Sequence, residues 1–199
     1  MKTMTRYIAA AAIAALASVA QAATDPRSLV QTTTDTVMER VRAEHEVLRQ
    51  NPEQIFTLVN EVVFPHFDFP RISQWVLGKY WKEAGEAERE EFILEFRRLL
   101  VRTYSNALLE FYNSSITYGD VEQKPGGKTA TVVTSISSDD SSAVPIKFRL
   151  HSNDGPWKVF DVSVDGVSLV STYRASFAAE IRKSGITGLI ATLNDKNQQ

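Results

Sequence analysis

The sequence predicts an α+β fold in which a helical layer packs against one face of a curved antiparallel sheet, with an apolar cavity between them. Three observations predict it. From Asp25 to Tyr112 the apolar residues recur at steps of three and four, the period of an amphipathic helix. From Ser115 to Val164 they alternate with polar residues, the period of a strand with one buried face. From Leu169 the helical step returns, so helices and strands are segregated along the chain, and a concave apolar site arises where two such layers part.

The segment before Asp25 is of another kind. Lys2 and Arg6 precede an apolar run from Tyr7 to Val19, which ends in Ala20-Gln21-Ala22. A positive start, a short apolar stretch and an Ala-x-Ala site describe a cleaved secretory signal, and the run is short for a membrane span. Residues 1–22 are therefore expected to be a signal peptide cleaved near Ala22, leaving 23–199 as a single domain exported to the bacterial periplasm.

Composition fits a globular chain: 199 residues, 43% of them hydrophobic. Losing Lys2 and Arg6 with the signal moves the formal net charge from −2 to −4, which argues against nucleic-acid binding. With no cysteine there is no disulfide, thiolate metal site or cysteine nucleophile, and no lipid anchor on a cysteine at the cleavage site. Stability must come from the core.

The elements follow in order. Asp25-Pro26 starts a helix, with Val30, Val37, Val41 and Leu48 behind it; so few apolar residues predict a helix lying across the surface. Asn51-Pro52-Glu53 opens a second, carrying Ile55, Leu58, Val59, Val62 and Val63, and Pro65 ends it. Asp68 caps a short third helix that closes between Gly78 and Gly85. The fourth, a long helix, begins near Glu86, with acids in its first turns where the macrodipole favours them. Its predicted apolar face runs through Phe92, Phe96, Leu99, Leu100, Thr103, Tyr104, Ala107, Leu108 and Phe111. It is expected to lie on the aromatic stretch Phe67 to Trp81.

Strands are predicted over Ser115 to Asp120, Thr129 to Ser137, Val144 to Ser152 and Trp157 to Val164. Turns at Lys124 to Lys128, Ser137 to Ser142 and Asn153-Asp154-Gly155 separate them, which makes an antiparallel meander. In the third strand Ile146, Phe148 and Leu150 are set inward against Lys147, Arg149 and His151 outward. Asp165-Gly166 stops the sheet. A final helix with Leu169, Val170, Tyr173, Phe177 and Ile181 inward ends at Gly185, after which Ile186 to Leu193 packs back.

Motifs of covalent chemistry are missing: no Gly-x-Ser-x-Gly, His-Glu-x-x-His or phosphate loop occurs, and His45, His66 and His151 are too scattered to predict a metal site. No cofactor is expected. Asp161, an acid inside an apolar strand, is expected to pair with Arg174 or Arg97. Asp68 reads as a helix cap beside a solvated His66, and the glutamates of the long helix as a solvated face. Arg97, Arg98 and Arg102 are candidates for meeting an acidic partner surface.

Blocks of residues along the whole mature chain carry a resemblance: Phe67-Asp68-Phe69, Ser73, Val76-Leu77-Gly78-Lys79-Tyr80-Trp81, Glu95-Phe96-Arg97, Thr103-Tyr104, Trp157 to Val162, Gly166 to Leu169, and Tyr173-Arg174 with Phe177. In these the sequence resembles the MlaC/Ttg2D family, the periplasmic phospholipid-binding proteins of toluene tolerance. Two positions depart from the pattern. Gln74 stands where an Arg is common, and Ala84-Gly85 replaces a Ser or Thr cap, which costs about 1 kcal/mol of helix stability.

The resemblance implies a fold of NTF2-like or cystatin-like character and a soluble, monomeric, non-enzymatic carrier of glycerophospholipid between outer and inner membranes, maintaining outer-membrane lipid asymmetry. The implied partners are an outer-membrane lipoprotein–porin complex and an inner-membrane ABC transporter with its periplasmic ring. Two acyl chains of about fifteen methylenes cost about 24 kcal/mol to expose at ~0.8 per CH₂, so they must travel enclosed, in a dry cavity of about 1,000 Å³ or more. Alternation selects Val132, Phe148, Leu150, Val162 and Val164 from the sheet, and Leu77, Leu100, Tyr104 and Leu108 from the helices, as its lipid-binding wall. Two other classes stay open on the residues alone: a small α+β enzyme transferring a proton with Asp161, Asp68 or His66, marked by a pocket carboxylate without a cation, and an adaptor between membrane complexes, marked by a filled interior.

Overall fold

A computed structural model describes residues 25–138, 141–153 and 155–198. The expected signal peptide lies outside the described residues, as do Asp139-Asp140 and Asp154 of two predicted turns. Helix α1 (Pro26–Gln50) starts on Asp25, whose carboxylate accepts from the Ser28 N–H at 3.0 Å. After Asn51 comes α2 (Pro52–Val62), then a 3₁₀ turn over Phe64–His66 and α3 (Phe69–Leu77). Asp68 caps α3 by accepting from the Arg71 N–H at 3.1 Å. Gly78, at φ 58°, ends α3 in a conformation open to glycine. Helix α4 (Glu86–Glu110) starts as predicted, and the missing cap is half made good because Glu88 accepts from the Gly85 N–H at 3.0 Å.

The chain then builds β1 (Ser115–Gln123), β2 (Thr129–Ser138), β3 (Ser141–His151), β4 (Lys158–Val164) and the two-residue β5 (Val167–Ser168), paired antiparallel in sequence order. Asp165 and Gly166, at φ 50° and 80°, form the tight left-handed turn between β4 and β5. Sequence periodicity stopped the sheet at that turn; two residues are too few to show a period. Register shifts between Tyr118 and Val121 and between Arg149 and Leu150 bend the strands and curl the sheet. Helix α5 (Leu169–Gln198) is broken at Gly185, φ 75°, so Ile186 to Leu193 is a second helical stretch. Among the described residues no helix is long and apolar enough to cross a membrane.

The interior has three parts. The largest lies where α3, α4 and α5 meet: Phe92 and Phe96 stack at 5.6 Å and receive the rings of Tyr173 and Phe177 edge-on at 5.0 to 5.8 Å. Here the long helix does lie on the aromatic stretch, through Phe64, Phe69, Ile72, Val76 and Leu77. The second joins the inner face of the sheet to Val30 of α1, through Ala130, Val132, Leu150, Trp157 and Val159. The third packs Val37, Val41 and Leu48 of α1 against Ile55 and Leu58 of α2.

Two expectations are corrected. Helix α1 is not a surface helix, since Val30, Val37, Met38, Val41 and Leu48 are all buried; Thr33 and Thr34 continue its stripe, and a count of apolar residues misses them. Nor is the predicted face of α4 continuous, for Thr103 and Tyr104 are exposed. Beyond Leu100 the packed stripe passes to Val101, Leu108, Leu109 and Tyr112, which lie against α1 and α2.

Candidate functional site

Between α1 and the sheet is an apolar cavity of about 220 Å³. Leu29, Val30, Thr33, Thr34, Val37 and Met38 line it from α1, one stripe at helical spacing. Opposite stand Ile116 of β1, Thr134 and Ile136 of β2, and Ile146 and Phe148 of β3. The register sets Ile116 against Ile136 and Thr134 against Ile146, so these side chains share one face. Thr134 donates its hydroxyl to the Ile146 carbonyl at 3.2 Å, which leaves the wall apolar. Val63, His66, Phe67, Leu108 and Val159 complete it.

Of the nine residues selected by alternation, Leu108 and Phe148 stand in this wall. Val132 and Leu150 are fully buried beside it in the sheet core, against which Val162 packs. Val164 is half-buried at the end of β4, opposite Ile146. Leu77 and Leu100 belong to the α3–α4–α5 core, and Tyr104 is 39% exposed. The wall residues not selected come mainly from α1, where the signal was the 30, 33, 34, 37 and 38 spacing with threonines counted in. Ile146 was legible, sharing its face with Phe148.

Polar links hold α1 to the sheet. The Tyr118 hydroxyl donates to Asp35 Oδ1 at 2.9 Å, and Arg27 Nη2 donates to the Tyr118 carbonyl at 3.1 Å. Burial, and secondarily the Asp35 carboxylate, pushes the Tyr118 phenol from 10.0 up to about 12. A phenol kept neutral by the fold supports it fully below its ordinary value near pH ~10, and that support is lost as the pH rises toward about 12. Tyr104, although 39% exposed, is partly desolvated and is also pushed up to about 12, with Tyr173 adding to the shift. In an ultraviolet titration two phenols are expected to ionise late, and Tyr118→Phe should remove one of them. At Glu44 the backbone leaves helical geometry, at φ −115° and ψ 15°, so α1 is kinked beyond its cavity-lining portion.

The acids are engaged elsewhere. Asp161 is buried and pairs with Arg149 at 3.6 Å, not with Arg174 or Arg97, because strand register puts Arg149 directly opposite. It accepts from the Ser168 hydroxyl at 2.8 Å and the Val170 N–H at 3.3 Å, which ties the start of α5 to the sheet. Asp161→Ala leaves these donors without their acceptor and should cost about 2–4 kcal/mol in urea unfolding. Asp161 is not in the cavity wall, so the cavity of the folded fraction should not change.

His151, predicted to face solvent, is buried, with Nε2 2.7 Å from Asp68 Oδ2 and Nδ1 3.4 Å from Arg71. The cap of α3 covers that end of the sheet face. Glu95 also departs from the solvated face: it is 2% exposed, bonded to Arg98 at 2.7 Å and to Asn197 Nδ2 at 2.8 Å. Arg97 lies over the Phe69 ring at 4.4 Å, and burial lowers its pKa. The three arginines therefore do not form one patch.

A family profile described as "MlaC protein" matches residues 31–195. The toluene tolerance protein ttg2D of Pseudomonas putida is 30% identical over 174 residues, covering 87% of this chain and 80% of its own. The Haemophilus influenzae intermembrane phospholipid transport system binding protein MlaC is 26% identical over 182 residues, covering 89% and 85%. A phospholipid-binding protein from Ralstonia solanacearum, solved in complex with a phospholipid, superposes with a TM-score of 0.82 at 27% identity, over 88% of this chain and 98% of that one. From the fold, the apolar cavity and these matches together, the chain belongs to the MlaC family.

Proposed function

We propose that this protein is a periplasmic phospholipid carrier of the Mla pathway, holding acyl chains between α1 and the sheet while the lipid crosses the aqueous space. The observation that carries the reading is the apolar cavity at that position, in a chain that resembles a phospholipid-bound structure over 88% of its length. Leu108 and Phe148 contact the chains at the wall; the neighbouring Val132, Leu150 and Val162 support it. Residues 1–22 direct export. The delivering and receiving partners are the outer-membrane lipoprotein–porin complex and the inner-membrane ABC transporter with its periplasmic ring, served by a monomer.

A cavity of about 220 Å³ is several-fold below the ~1,000 Å³ at the upper end of ligand sites that two acyl chains call for. Loading therefore requires the walls to separate. Carriage without catalysis suits a wall that contains no carboxylate: Asp161 and Asp68 are bonded to Arg149 and His151 instead. Native mass spectrometry of protein purified from a bacterial periplasm, with lipid extraction, tests the reading. Phospholipid bound at fixed stoichiometry is expected. A lipid-free protein that also takes nothing from vesicles would reject it.

A further inference from the structure

Of the side chains lining the cavity, one is ionisable: His66. It is half-buried, and burial, followed by the charge of Lys158, lowers its pKa. Lys158 sits beside it because the two segments are stitched together. Phe67 bridges Val159, the Asp68 N–H donates to the Val159 carbonyl at 2.9 Å, and Lys158 Nζ donates to the Pro65 carbonyl. The flanking residues Phe67 and Val159 are themselves cavity wall, while Lys158 stands outside the wall and reaches the Pro65 carbonyl next to His66. An ammonium has three donors, and the Pro65 carbonyl takes one. No carboxylate bonds to His66 or Lys158 among the hydrogen bonds and ion pairs of the described residues.

We infer that His66 and Lys158 form a seat for a phosphate oxyanion at the Phe67–Val159 end of the cavity, fixing the polar end of a lipid whose chains occupy the apolar remainder. The inference rests on the carrier reading and adds residues that recognise the phosphate. A phosphodiester presents two unesterified oxygens sharing one negative charge; the Lys158 ammonium answers it with a charge-assisted bond and the His66 ring with an N–H, and the bound anion in turn favours protonation of that ring. The oxyanion removes the mismatch of two basic groups side by side without an anion. Because the seat is stitched to β4 before any ligand arrives, little ordering is needed on binding.

The test compares two ligands with identical acyl chains, phosphatidylglycerol and diacylglycerol, taken up from vesicles by the full mature chain. The wild type should prefer the phospholipid by about tenfold, a modest gain for charge-assisted bonds at a half-exposed site. Lys158→Gln should bring that preference toward parity with diacylglycerol uptake unchanged, Lys158→Arg should retain most of it, and His66→Gln, which also alters the cavity wall, should lower the ratio of phospholipid to diacylglycerol uptake. The unchanged diacylglycerol uptake also controls for folding. Equal uptake of both ligands by the wild type, or a preference that survives both Gln variants, overturns the seat.

A second readout is the titration of the His66 ring by NMR. A rise on adding inorganic phosphate supports a seat that takes the free anion as well, and a rise with lipid alone supports one that needs the chains in place. No rise with either overturns it. If neither lipid loads, it is the carrier reading that fails, and the inorganic phosphate titration still decides the seat.

Discussion

Stapling α1 to β1 is expected to reduce lipid loading at least about tenfold, to the background of the vesicle assay. The chain has no cysteine of its own, so Asp35→Cys with Tyr118→Cys places two unique thiols across the Tyr118–Asp35 link. A bonded phenol and carboxylate hold their backbones farther apart than the ~7 Å that a disulfide tolerates, which makes a reductively cleavable bis-maleimide the suitable staple. Strands β1 to β4 are joined by continuous backbone ladders, whereas α1 meets the sheet through an apolar stripe and links such as that of Tyr118. Its kink at Glu44 lies just past the last cavity-lining residue, Met38. Cleaving the linker should restore loading, and the unstapled double variant should load at least as fast as wild type. A stapled protein that still loads would move the opening from α1 to another wall.

Phe96→Ala should destabilise the protein by about 3–5 kcal/mol, the usual cost of emptying a large aromatic site in a core. Phe96 is 1% exposed and meets the rings of Phe92, Tyr173 and Phe177 within 5.6 Å. These come from two helices that cannot both close the gap. Leu108→Ala should cost less than half as much, because that side chain already borders a void and has fewer dispersion partners to lose. Urea unfolding of the two variants gives the comparison directly. Equal losses would mean that the space beside Leu108 is as densely packed as the aromatic core.

That contrast also explains what the sequence could and could not reveal. Period changes located the helices and the sheet, and local chemistry located several boundaries, at Asp25-Pro26, Asp68 and Asp165-Gly166. The aromatic core was legible because Phe92 and Phe96 are spaced for one face. The cavity wall was not, since Leu150 and Phe148 alternate on the same strand face, yet one is fully buried in the sheet core and the other faces the void. Burial patterning reports removal from water and does not distinguish a packed neighbour from an empty one. Helix α1 escaped for a different reason: its wall stripe includes Thr33 and Thr34, whose methyl groups pack like apolar ones. His66 and Lys158 are 92 positions apart in the chain, and only the Phe67–Val159 bridge makes them neighbours.

The hold of α5 on α4 has a bearing on how the chain comes to be folded. Phe92 and Phe96 are covered by Tyr173 and Phe177, and the buried Glu95 is answered by Asn197, in the last turn of the described helix. A chain delivered with its N-terminus first exposes α3 and α4 for about 80 residues of synthesis before that cover arrives. Until then the aromatic face has nothing to close on, and Glu95 lacks part of its answer. The closing piece follows α4 by about sixty residues and the whole sheet, so the aromatic face of α3 and α4 stays uncovered until α5 has been made.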